Sequence, residues 1–424
     1  MSAHQLKIDS SSYYINLRKT IVFLLYCFIL IDMINGYLLR SGIVSISPFF
    51  KFLTLFLIVI YFIKNIALIV QVNLLVLLIL LYAVIHSYLL GDPIFAISGL
   101  DWIVKFSSIV IFYIFFQKVI DRRKGECIFQ FAKYSFVFLL VNFTFGFFGF
   151  GYGMYGTEEN SIGTRGFIFA GNEIGAALIV SGAILQMQLI EQRKYWRFVG
   201  VGILMIWMGV LLTSKVSIFS SMLLLLSFPM IKAAGKLKYM KIEKKDVFFS
   251  SLVILAMPAI ASGAIYYVLF FSNLIERLSY FYDKVDIITL LLSNRNIWAL
   301  EAINIYFDSY SILEILFGSG QSWIYEISDK KMVEIDFIDF LMTYGIGGAV
   351  VAYGFFAWIL LKLIHNQTNP YFGYLLLMIV LLLGMSLTSG HIMNSGIAGA
   401  LIAALLSMVN NKIRLATNEN SPYL

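Results

Sequence analysis

The chain has 424 residues, of which 60% are hydrophobic and 13% charged, and its formal net charge is +7. Soluble domains carry about a quarter charged residues, so this composition, with a mean hydropathy of +0.86, excludes an ordinary soluble protein. The positive charges sit in short loops between apolar runs, where they report topology rather than nucleic-acid binding, and what remains is a polytopic, all-α membrane protein.

Twelve apolar runs follow in order, centred near Leu30, Leu57, Leu80, Val110, Leu140, Leu178, Ile206, Leu224, Leu255, Val350, Met378 and Ala400. A span needs about 20 apolar residues. The first run, Ile21 to Leu39, lacks a small-residue cleavage site, so it reads as a span and not as a cleavable signal peptide. Asp32 falls in mid-span and predicts a structural partner within the bundle. The loop Arg40 to Ser47 holds no acid, which argues against membrane glycosyltransferases with an acidic pair in their first outer loop. Cys27 and Cys127 lie in or beside spans and fit no disulfide or metal spacing. Ser214-Lys215 and Ser389-Gly390-His391 have to serve as very short turns. No repeat or Pro/Ser-rich linker divides the chain, so residues 1–424 read as one integral membrane domain.

Lysine and arginine set the orientation. Asp121-Arg122-Arg123-Lys124, Arg193-Lys194 with Arg197, the run Lys232 to Lys245, and Lys412 with Arg414 share one side with Lys7, Arg18 and Lys19. The positive-inside rule makes that side, with both termini, cytoplasmic. The other face holds Gly91 to Asp101, Gly151 to Phe167, Ser214-Lys215, Ser389 to His391 and the one long polar stretch, Asn273 to Ile335, between spans nine and ten. A loop this long usually carries function, and it is expected to form a lid over a site at the membrane surface. Within it, Asn294 could cap a helix from Arg295 towards Leu316, ended by Gly318 and Gly320. Trp298, Ile305, Tyr306 and Leu313 make that helix apolar enough to lie in the interface.

The candidate groups face outward. Arg165 precedes span six, with Asn172 and Glu173 one to two turns into it; it is either a snorkelling interfacial anchor or part of a site that the intramembrane Glu173 marks. Lys215 is either the polar residue that a tight turn needs or a fixed cation suited to phosphate. Asp336 and Asp339 open span ten on one helical face and either cap it or, crowded by Glu334, supply a general base. His391 is either structural or an alternative base. Arg277, Arg295, Lys330 and Lys331 complete the outer cations. Neither clustered metal ligands nor a Walker-type loop is present in the sequence, so no metal or cofactor is expected. Cations plus a base at headgroup depth suit a lipid-linked diphosphate that departs as a leaving group.

These pieces resemble the polytopic O-antigen polymerases (Wzy), within the superfamily that includes O-antigen ligases. The resemblance rests on Thr164-Arg-Gly-Phe-Ile-Phe-Ala-Gly-Asn-Glu173, Thr213-Ser-Lys-Val-Ser217 and Arg295-Asn-Ile-Trp298 running to Leu316-Phe-Gly-Ser-Gly320. It continues through Glu334-Ile-Asp-Phe-Ile-Asp-Phe340 with Tyr344-Gly-Ile-Gly-Gly348, and Ser389-Gly-His391. Order and spacing agree from roughly Gly151 to Ala400; before that, only hydropathy matches. The resemblance implies transfer of a growing chain from undecaprenyl diphosphate to a sugar hydroxyl of the next lipid-linked repeat unit, in the cytoplasmic membrane. Arg165 and Arg295 match the family's important arginines, while Lys215 stands where many relatives have arginine. Asp336 and Asp339 occupy the stretch where ligases place a histidine, which favours polymerase over ligase. Implied partners are the lipid-linked donor and acceptor, membrane lipid, a chain-length regulator and a flippase. The competing readings are a ligase of the same superfamily, a flippase-type transporter and a scaffold for polysaccharide assembly.

Overall fold

The structure is a computed structural model; it describes residues 12–410 except 64, 91–92, 124, 156–161, 238–244, 328–331 and most of 246–291. Helices dominate. In order they are α1 (Ser12–Tyr26), α2 (Phe28–Arg40), α3 (Ser47–Phe62), α4 (Ile66–Leu90), α5 (Pro93–Arg123) and α6 (Glu126–Phe147). A hairpin of β1 (Tyr152–Tyr155) and β2 (Ile162–Gly166) intervenes before α7 (Gly171–Glu191), α8 (Tyr195–Leu211) and α9 (Lys215–Leu237). Then come α10 (Arg295–Asp308), α11 (Ile312–Phe317), α12 (Asp336–His365), α13 (Phe372–Thr388) and α14 (Gly399–Ser407).

Among the described residues, five helical stretches are long and apolar enough to cross a membrane: Leu100–Val119 within α5, α6, α7, Lys215–Gly235 within α9, and α12. The α1–α2 pair, bent by 51° at its break, makes a sixth. Five shorter apolar helices of 10–17 residues account for the runs near Leu57, Leu80, Ile206, Met378 and Ala400. The ninth run, near Leu255, lies largely outside the described residues. α7 is the axis of the bundle, with 83% of its apolar window buried. Small residues at Ala176, Ala177, Gly182 and Ala183 let neighbouring helices approach it closely where lipid gives no hydrophobic push.

The hairpin is a short addition to a fold that is otherwise helical, as expected. Antiparallel pairing joins Gly153 to Thr164 and Tyr155 to Ile162, with an irregularity after Tyr152. Asn142 of α6 stitches its root to the bundle: the side-chain Nδ2 donates to the Arg165 carbonyl at 2.8 Å and Oδ1 accepts the Phe167 N–H at 2.8 Å.

The cap that follows 291 differs from expectation. Instead of one helix there are two, because Ser311 opens a new one with a complete capping box to Glu314. Asn294 stands at the N-cap position expected of it, and its carbonyl accepts the Trp298 N–H at 3.3 Å, but it sits in the left-handed region at φ 68° and its side chain makes no cap hydrogen bond. Trp298, Ile305 and Tyr306 face inward, onto a second apolar cluster with Ala302, Trp323, Val333 and Met342.

This cluster rests on a break in α12. Gly345 adopts φ 64° and ψ −168°, a conformation open essentially to glycine. In an unbroken helix the carbonyls of Met342 and Thr343 would accept the amides four residues on. Here they accept the N–H groups of Ser319 and Gly320 at 3.0 and 3.2 Å. Tyr310 donates its hydroxyl to the same Met342 carbonyl at 3.2 Å, and Trp323 Nε1 donates to Thr343 Oγ1 at 3.1 Å. Burial pushes the Tyr310 hydroxyl far above its ordinary pKa, so it remains a donor. The cap is therefore hydrogen-bonded to the helix beneath it, rather than resting on it.

Candidate functional site

The candidate residues gather at the end of the bundle where α2, α6, α8 and α13 finish and α7, α9 and α12 begin. Arg295, the first residue of α10, donates from Nη2 to Glu334 Oε2 at 2.5 Å and from Nη1 to the Thr388 carbonyl at the end of α13, at 3.1 Å. Asn172, in the first turn of α7, donates Nδ2 to the same Glu334 oxygen at 3.3 Å. The side chains of Arg295 and Glu334 are 15% and 37% exposed, so the carboxylate is the more reachable member of the pair. Strained backbone adjoins the pair: Ser293 and Asn294, just before Arg295, have φ 55° and 68°, and Glu334 itself has φ 60°. Left-handed non-glycine residues are uncommon and cluster at functional sites.

Asp336 and Asp339 are fully buried. Neither spends its carboxylate on the amides at the start of its own helix. Asp336 accepts the N–H groups of His391, Ile392 and Met393, the last two at 2.9 and 3.0 Å. Asp339 Oδ1 accepts the Val333 N–H at 3.1 Å, while its Oδ2 is buried with no hydrogen-bond partner. These acids act as clamps on incoming loops.

The turn expected at Ser389 to His391 runs on, non-helical, as far as Ala398. Buried backbone of this kind at membrane depth needs internal partners. Asp336 supplies three at one end. Glu173 serves the other, its Oε2 accepting the Ser395 hydroxyl at 2.8 Å and the Ile397 N–H at 2.9 Å. Gly390, at φ 61°, is where the segment passes Glu334: a Cβ there would stand 2.5 Å from the Glu334 carbonyl oxygen. His391 follows at φ 58°, with its ring edge-on to Trp102 at a centroid distance of 6.2 Å.

The remaining cations divide. Arg165 of β2 donates Nε to the Gly153 carbonyl at 3.0 Å and Nη1 to the Phe169 carbonyl at 2.5 Å, with its guanidinium over the Tyr152 and Phe169 rings. It borders the start of α7, since a Cβ on Gly171 would lie 3.4 Å from its Cδ. Two residues of α7 thus link the arginines, Gly171 beside Arg165 and Asn172 bonded to the partner of Arg295. Lys215 is exposed at the first turn of α9, beside Thr213, against which Gly163 of the hairpin packs. Arg277, Lys330 and Lys331 lie outside the described residues.

Sequence reasoning missed Arg40. It ends α2, donates to the Gly151 carbonyl and places its guanidinium 5.8 Å from the same Tyr152 ring that Arg165 approaches. Its signal was a basic residue in the last turn of a helix that opens the acid-free first loop. Asp32 has the in-bundle partner expected of it, Lys51 at 2.7 Å, with Ser47 bonded to the same carboxylate. The site thus offers one partly exposed carboxylate, Glu334, paired with the Arg295 guanidinium, with Arg165 beside the adjacent start of α7 and buried Asp336 holding the segment that follows residue 390. No family model matches the chain, and no match was found among curated proteins or solved structures.

Proposed function

We propose that the protein is a polysaccharide polymerase of the Wzy type, a glycosyltransferase of the cytoplasmic membrane. In this reading twelve spans place both termini in the cytoplasm, and the Arg295 end of the bundle faces outward. An undecaprenyl-diphosphate-linked oligosaccharide is the donor. A hydroxyl of the terminal sugar on a second lipid-linked unit attacks the donor's anomeric carbon. The bond from that carbon to the diphosphate oxygen breaks as the new glycosidic bond forms. The hydroxyl proton passes to a protein base, and the lipid diphosphate leaves carrying the electron pair. Arg295 and Arg165, with Lys215 nearby, neutralise charge on that diphosphate.

The observation that carries this reading is the Arg295–Glu334 pair: a guanidinium and a partly exposed carboxylate at 2.5 Å at the bundle end, with left-handed backbone at Glu334 and just before Arg295. We place the base at Glu334, with His391 as its neighbour. Asp336 and Asp339 are fully buried, so we assign them to positioning those two residues and not to meeting a sugar hydroxyl.

The test is reconstitution. Purified protein given a lipid-diphosphate-linked repeat unit, without nucleotide, should produce a ladder of longer lipid-linked oligosaccharides. Transfer only to a lipid A core acceptor would indicate a ligase, and movement of substrate across the bilayer without bond formation a transporter.

A further inference from the structure

The cap helix α10 has three faces rather than two. Trp298, Ala302 and Tyr306, spaced four apart, point into the second apolar cluster. Leu300, Ile303 and Phe307, spaced three and four apart, share another face and are all exposed, Leu300 at 63% and Phe307 at 74%. Asn304 and Asp308, also four apart, form a third, exposed and polar over the second half of the helix, with Ile297 at its start. A helix standing in water over a site would not divide its outer half into an apolar and a polar flank.

α11 extends the apolar flank. Ile312 is 78% exposed, and Leu313, Leu316 and Phe317 are exposed as well. The Leu316 backbone packs directly on Gly345 and Gly347 of α12. Between those glycines lies Ile346, exposed on the surface of a helix long and apolar enough to span a membrane, with Val350 and Val351 exposed one turn further on. The apolar flank of the cap therefore meets α12 at Leu316, next to the exposed apolar residues Ile346, Val350 and Val351. Large contiguous apolar patches are rarely left in water.

We infer that the flank formed by Leu300, Ile303, Phe307, Ile312, Leu313 and Leu316 is a lipid-binding surface that sinks into the boundary between headgroups and acyl chains. Helices with a polar side and an apolar side bury about 5–10 Å into that zone. The residues in contact with lipid are then not Trp298, Ile305 and Tyr306, which serve the inner cluster. The depth of Arg295 follows, because it begins the same helix and is held to Glu334 and Thr388. This inference concerns where the cap sits, and it stands independently of the reaction proposed above.

The experiment uses full-length protein carrying Cys27→Ala and Cys127→Ala, in nanodiscs of phosphatidylethanolamine and phosphatidylglycerol. Single cysteines at Leu300 and Phe307 on the apolar flank, and at Asn304 and Asp308 on the polar flank, carry an environment-sensitive fluorophore. Two positions on each flank guard against one variant that fails to fold. A nitroxide attached high on the lipid acyl chain should quench the Leu300 and Phe307 probes severalfold more than the Asn304 and Asp308 probes. A water-soluble nitroxide should reverse the order. Equal quenching of both flanks by the aqueous nitroxide would overturn the inference. So would shielding of the apolar flank from both quenchers, which would mean that a second copy or another protein covers it.

Discussion

Asp336 accepts the amides of residues 391–393, while Glu173, on a different helix, accepts the amide of Ile397 and the hydroxyl of Ser395. Two carboxylates, Asp336 buried and Glu173 partly buried, thus hold opposite ends of one non-helical segment. That segment carries His391 and passes directly beneath Glu334. Intramembrane acids often mark a reacting group; here their visible work is to make a strained backbone affordable.

The two aspartates of α12 should therefore respond differently to the same substitution. Asp336→Asn replaces one accepting oxygen with an amino group that faces backbone donors, so stability should fall by about 1–3 kcal/mol. Asp339→Asn keeps the one oxygen that is used and changes only the oxygen that lacks a partner. It should be neutral or stabilising. Thermal unfolding of both purified variants checks this, and equal losses would contradict the hydrogen-bond assignment.

Two glycines of α12 make a similar contrast. An added Cβ at Gly345 meets the Leu316 backbone and forces alanine into a glycine-only conformation, whereas Gly354 has open space around it. Gly345→Ala should destabilise the protein by at least about 1–3 kcal/mol. Gly354→Ala should leave it unchanged or raise its stability by about 0.5–1 kcal/mol. The paired melting curves decide. A silent Gly345→Ala would mean that the cap is not stitched to the break.

The apolar runs were legible because hydropathy is local, and the break between α1 and α2 did not obscure them. What the sequence concealed was pairing at long range. Nothing near Asp336 announces that residues 391–393 will supply its donors, so capping and general-base roles looked equally available. The break at Gly345 was hidden inside a run of apolar residues. It becomes intelligible only with Ser319 and Gly320, which take the carbonyls it releases. The capping box at Ser311 was visible in Ser311-Ile-Leu-Glu314 and was passed over for Asn294, a residue of the right type on the wrong backbone. Arg40 reads in sequence as an ordinary helix-ending arginine; only Tyr152, more than a hundred residues on, brings it beside Arg165.

Topology gives a further prediction. Cysteines introduced at Ser309 in the cap and at Gly235 near the end of α9 should lie on opposite sides of the membrane, with Ser309 outside. An impermeant thiol reagent on intact cells should label the Ser309 site and spare the Gly235 site. Labelling of Gly235 alone would invert the map and place the Arg295–Glu334 pair on the cytoplasmic face.

Arg295 should be far less replaceable than an ordinary surface arginine. Removing a charge-stabilising donor costs about 3–4 kcal/mol, two to three orders of magnitude in rate. Arg295→Ala should therefore abolish polymer while the protein stays in the membrane. Arg295→Lys should recover only part, because a lysine cannot reach Glu334 and the Thr388 carbonyl with one planar group. Levels of polymer and of membrane-inserted protein, measured together, separate loss of chemistry from loss of fold.

The central claim is that Glu334, paired with Arg295, takes the proton of the attacking sugar. The most direct measurement is the single-turnover rate of ladder formation by purified Glu334→Gln protein, under conditions where the wild type extends a lipid-diphosphate-linked repeat unit. Glutamine preserves the size of the side chain and an oxygen for Arg295, but it cannot accept a proton near neutral pH. The account predicts a rate lower by about 10²–10⁴-fold with substrate binding retained. Wild-type ladder synthesis by Glu334→Gln would contradict it.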